Sequence, residues 1–176
     1  MWLLALGGSD CEALHRGVLG QPVNGMSSLA YVVAAGYVLH RGGPPAPALA
    51  LALVGVGSVL YHGPMPPGAG FVHDASLVAV PAAALAVGWR RRTFPRPPAV
   101  ALAALAAGAV ANLVTRTGAP LCAPDSLLQG HALWHVLTAV GAGLWLARWA
   151  PTRRGRTHPA GGSSCDDRVL TPQEAS

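Results

Sequence analysis

Apolar residues in this chain come in runs too long and too unbroken for a soluble core, and the polar residues gather where those runs end. Five runs stand out: Val23–Leu39, Ala46–Tyr61, Phe71–Trp89, Pro98–Val114 and Leu127–Trp149. Each approaches the ~20 residues that a helix needs to cross the hydrocarbon of a bilayer, with ends loose by about one turn. The fourth run is mostly alanine, and small side chains allow helices to approach closely inside a bundle. The pattern predicts an all-α, polytopic membrane bundle of about five transmembrane helices. It divides the chain into an extracytoplasmic N-terminal segment (1–22), the bundle (23–149) and a tail (150–176). The tail is rich in Arg, Gly, Ser and Pro, without apolar periodicity, and reads as disordered. The N-terminus has no basic region and only six apolar residues before Gly7, so neither a secretory signal nor a span is expected there. No internal repeat is visible.

Composition agrees with the pattern. The chain is 52% hydrophobic and 11% charged, against about 25% charged in soluble domains. All twelve basic residues are arginine. With five spans, ten of these arginines share one side, in the loops around Arg41 and Arg90–Arg96 and in the tail from Arg148. Only Arg16 and Arg116 fall on the other. The positive-inside rule then predicts an outer N-terminus and a cytoplasmic C-terminus in an integral membrane protein. A net charge of +5 would also suit nucleic acid, but arginines that flank apolar spans point to a membrane, and no nucleic-acid partner is expected.

This topology collects the remaining polar residues into one outer layer. Asn24, Ser27 and Ser28 open the first span, Ser58 and His62 close the second, Asp74 opens the third, and His131 and His135 open the fifth. His131 and His135 are four apart and project from one helical face; Ser58 stands one turn before His62 in the same way. Three histidines from two helices could converge on one point, and three imidazoles plus water is a common catalytic zinc arrangement. Asp74 would then hold or deprotonate the water, and Ser58 would donate to an oxyanion. Blander readings stand beside these. Ser58 could be a packing hydroxyl, Asp74 a helix N-cap, and the metal a structural staple. A haem axially held by His62 and one of His131 or His135 is the rival from another class. His73 reads as interfacial, His15, His40 and His158 as outside any site, and Trp134 as lining the pocket.

Together "GSVLYH", an Asp twelve residues after His62 and "HALWH" resemble the alkaline ceramidases and, more broadly, the CREST superfamily of membrane hydrolases. The stretch "CEALHRGVLGQPVNGMSS" is similar to their N-terminal segment. The resemblance implies zinc on His62, His131 and His135, with Asp74 and Ser58 catalytic, and cleavage of an amide or ester bond in a lipid. It implies a shortened version of the family's seven-helix fold, since only about 57 residues separate Asp74 from His131. It also implies a calcium site, for which Asp10 and Glu12 are present; Gln21 stands where an acid is expected and Leu14 where an Asn is expected. Cys11 and Cys122 both lie on the outer side, where disulfides are permitted, and the ceramidases carry a comparable bond. A Cys11–Cys122 disulfide is therefore expected, with Cys165 left in the tail.

Overall fold

The computed structural model describes residues 10–150. Residues 151–176, the tail expected to be disordered, lie outside the described residues. Every regular element among the described residues is an α-helix: α1 (Pro22–Ser27), α2 (Leu29–His40), α3 (Pro45–His62), α4 (Ala69–Arg91), α5 (Ala99–Val114) and α6 (Gly130–Ala147). Four expected runs match helices to within a few residues, and the first is divided at Ser28. The Ser27 hydroxyl donates to the Asn24 carbonyl at 2.9 Å, and Ser28 Oγ lies 2.7 Å from the same oxygen. Such back-bonding competes with the helix's own ladder, and Tyr31 N–H turns to the Ser28 carbonyl in a tighter turn.

Proline marks the helix starts. Pro45 fills the first position of α3, where no N–H donor is needed, and extended Pro98 precedes α5. After Pro66 and Pro67 the chain reverses at Gly68, whose φ of +86° suits glycine and few other residues. Helix α4 runs through Pro81, as bundles in lipid tolerate.

The helices pack in the spatial order α4, α3, α2, α6, α5, each against the next, while α4 and α5 share no comparable packing among the described residues. The bundle is thus an arc with α4 and α5 at its two ends. Its core joins Tyr31, Ala35 and Val38 of α2 to Leu51 and Val54 of α3, Ala84 of α4, and Ala139 and Leu146 of α6. The opposite faces expose Val33, Leu49, Leu53, Leu85, Leu102 and Val110, a coat suited to lipid rather than water. Pro22–His40, Pro45–His62 and Ala69–Arg91 are long and apolar enough to cross a membrane. Helix α5 is apolar but has 16 residues, and α6 has 18, including two histidines. In lipid the driving force between helices is packing and hydrogen bonding; the 2.6 Å bond between Tyr31 Oη and Thr138 Oγ1 ties α2 to α6.

The two ends of the bundle differ. At one end Arg91 donates to the Trp149 carbonyl at 2.9 Å and Trp145 Nε1 to the Pro95 carbonyl at 2.8 Å, so the arginine-rich α4–α5 loop covers the end of α6. At the other end the N-terminal segment is tied down by the Cys11–Cys122 disulfide, with Cα atoms 5.6 Å apart. Cys11 N–H also donates to Thr117 Oγ1, Ala13 N–H to the Pro124 carbonyl, and Gln21 N–H to the His62 carbonyl at 2.7 Å.

Candidate metal centre

His62 is the last residue of α3, while His131 and His135 occupy the first and second turns of α6. All three are buried, and their ring centroids lie 5.1, 5.2 and 4.5 Å apart. One nitrogen from each falls within 4.8 Å of the other two. A tetrahedral ion with Zn–N of about 2.1 Å needs nitrogens about 3.4 Å apart, which small ring rotations would reach. Among the described residues this is the one group of His, Cys, Asp or Glu side chains that converges as metal ligands.

The hydrogen bonds behind the rings decide which nitrogen is available. His62 Nδ1–H donates to Gln21 Oε1 at 2.6 Å, and the Gln21 amide is itself oriented by donating to the Glu12 carbonyl at 3.0 Å. His131 Nδ1–H donates to Asn112 Oδ1 at 2.9 Å. His135 Nδ1–H donates to Ser27 Oγ at 2.9 Å, whose own proton goes to the Asn24 carbonyl. Each ring is thereby held with its proton on Nδ1 and a lone pair on Nε2, the arrangement outer partners impose on metal-binding histidine. His62 Nε2 and His131 Nε2 are buried with no partner among the described residues. Leaving a buried polar atom unsatisfied costs about 1–3 kcal/mol, so two such atoms within one histidine cluster fit a cation-binding role.

Ser58 is fully buried against this group. Its Oγ lies 3.3 Å from His135 Nε2 and accepts a hydrogen bond from Ser28 Oγ at 2.8 Å. Asp74 is placed differently. It sits in the second turn of α4, not at its cap, with a side chain 80% exposed that accepts the His73 Nδ1 proton at 2.9 Å. It reaches the histidines only across a polar cavity of about 340 Å³ whose walls include Tyr61, His73, Asp74, Asn112, Arg116 and His131. The acid beside the rings is Asp10, whose carboxylate lies 3.8 Å from His62 Nδ1 and 3.6 Å from His131 Nδ1. On another side an apolar groove of about 500 Å³, walled by Val114, Leu128, Leu133 and Val136, reaches Ser27.

Among the described residues, the group that converges as metal ligands is the histidine trio and does not include Asp10 or Glu12, the residues of the calcium expectation. Both Glu12 carboxylate oxygens accept backbone N–H groups, from Val23 and Asn24 at 2.8 Å. That places the carboxylate against the partial positive charge of a helix N-terminus, while Gln21, in place of an acid, is engaged with His62. Gln21 and Asn112 escaped the spacing argument because an amide has no charge and their partners are 41 and 19 residues away. His73 was expected at the interface; its ring stacks on Tyr61 at 5.0 Å and borders the cavity. Trp134 packs toward α5 near Gly108 rather than on the polar cavity. The expected disulfide is present.

Comparisons of the chain with protein-family models, with curated proteins and with solved structures each give no match. What the site can do is therefore argued from its own residues.

Proposed function

We propose that the chain is a zinc-dependent integral membrane hydrolase, ceramidase-like, that cleaves an amide or ester bond in a lipid. The observation that carries this reading is the buried trio of His62, His131 and His135, each with Nδ1 engaged in a hydrogen bond so that Nε2 is the nitrogen left to bind a metal. An all-imidazole set with room for a fourth ligand suits catalytic zinc better than calcium or magnesium, which take oxygen ligands. When bound, zinc supplies a Lewis acid and brings the pKa of a ligand water to about 7. Ser58 offers its hydroxyl to His135 Nε2; once that lone pair is engaged, its proton is free for a carbonyl oxygen of the substrate. Asp74, hydrogen-bonded to His73 at the cavity rim, exchanges protons between the cavity and solvent.

Lipid is favoured as substrate because the polar cavity reaches His131 and the apolar groove reaches Ser27, the hydrogen-bond partner of His135, in a bundle coated with apolar side chains. The arginine-rich end would face the cytoplasm and the metal centre the outer leaflet. Haem ligation would use two histidines and leave the third, equally well supported by hydrogen bonds, without a role.

The test is metal content of detergent-purified protein, wild type beside His131→Ala, together with fatty-acid release from ceramide and phospholipid. About one zinc per wild-type chain, lost in the variant along with activity, is the expected result. Wild type without zinc after chelator-free purification would overturn the reading.

A further inference from the structure

The polar cavity opens at the gap in the arc. Its walls come from the site-side end of α4 through His73 and Asp74, from α5 through Asn112, and from Arg116 just beyond α5. Of the charged groups around it, two are already engaged. Asp74 accepts the His73 proton, and Asp10 is held against His62 and His131. Arg116 is exposed, and its side chain forms no hydrogen bond or ion pair among the described residues. Yet its backbone is fixed: the next residue, Thr117, accepts the Cys11 N–H, and Cys11 is pinned by the disulfide to Cys122. A guanidinium on a fixed stretch of backbone, in the wall of the same cavity as His131, has the chemistry of an anion receptor. Its planar fork pairs with two oxygens of a carboxylate or phosphate at once.

We infer that the substrate is an anionic N-acyl or O-acyl lipid, whose headgroup carboxylate or phosphate is held by Arg116 while its acyl bond lies at the three histidines. This rests on the hydrolase reading for the reaction but not for the binding. In the reaction water adds across the acyl bond. For an N-acylglycine the C–N bond breaks, the acyl carbon takes the hydroxyl, and the nitrogen leaves with a proton as glycine.

The experiment uses full-length protein in nanodiscs of neutral phosphatidylcholine, with three probes: N-palmitoylglycine, its methyl ester and N-acetylglycine. Equilibrium binding is measured for wild type, Arg116→Gln and Arg116→Lys, and glycine release is followed separately. Wild type is expected to bind N-palmitoylglycine roughly tenfold or more tighter than the methyl ester, the size of a charge-assisted hydrogen bond. Arg116→Gln should remove that preference without changing affinity for the ester, and Arg116→Lys should restore part of it. Equal binding of acid and ester by wild type, or a preference that survives in Arg116→Gln, overturns the inference. N-acetylglycine binding as tightly as the palmitoyl compound overturns its lipid half, leaving a site for a free anion. If binding follows the expectation but neither lipid is hydrolysed, the hydrolase reading fails and the anionic-lipid site stands.

Discussion

Asn112 and Gln21 carry no ionisable group, yet their amide oxygens decide which nitrogen of each imidazole bears the proton. Replacing either by leucine would leave a buried Nδ1–H without an acceptor and free the ring to turn. Asn112→Leu and Gln21→Leu are each expected to weaken zinc binding about 10–100-fold, the usual effect of losing a partner behind a ligand. Competition against a chelator of known affinity measures it, and unchanged affinity would show that packing alone holds the rings. The clustering of the three histidines was legible in the sequence, because i to i+4 spacing and arginine-derived topology place His131 and His135 on one face at the same level as His62. Their supports were not. A contact between Gln21 and His62 spans 41 residues and follows no periodicity. Asp74 illustrates the converse: its position suggested a base beside a metal-bound water, but the second turn of an edge helix turns its carboxylate to solvent.

At the scale of the elements, hydropathy located each helix but missed details that side chains impose. The last run was expected to become helical from Leu127, whereas α6 begins at Gly130. The Gln129 side chain donates to the carbonyls of Ala123 and Ser126 at 3.0 and 2.7 Å, which holds the preceding loop and leaves Leu127 and Leu128 exposed. Gly130 also marks a close approach of α6 to the end of α5. A Cβ there would lie 2.6 Å from the Ala111 carbonyl oxygen and would meet Thr115 Oγ1. Gly130→Ala is therefore expected to push the first turn of α6, and with it His131, away from α5. A loss of about 1–3 kcal/mol is the usual scale for overpacking, and thermal unfolding with zinc present and absent should show the larger loss in the zinc-bound form. An equal loss in both would mean that the turn relaxes without moving His131.

For the molecule as a whole, the uneven distribution of arginine between its ends predicts an orientation that fusions can check. A fluorescent protein at the C-terminus is expected to fold and glow, and alkaline phosphatase at the same place to stay inactive; the opposite pair of results would invert the bundle and put the metal centre at the cytoplasmic face. The Cys11–Cys122 bond carries a consequence for how the protein matures. It joins positions 111 apart, bringing the segment that supplies Asp10 and Gln21 to a loop made only after five of the six helices. If that loop lies outside, as the arginine count predicts, the histidines gain their covering segment only after it has crossed the membrane and met an oxidant. The expected order of assembly is then translocation, oxidation and metal binding. Cys11→Ser protein is accordingly expected to surrender zinc to a chelator that wild type withstands, whereas equal retention would separate metal loading from oxidation.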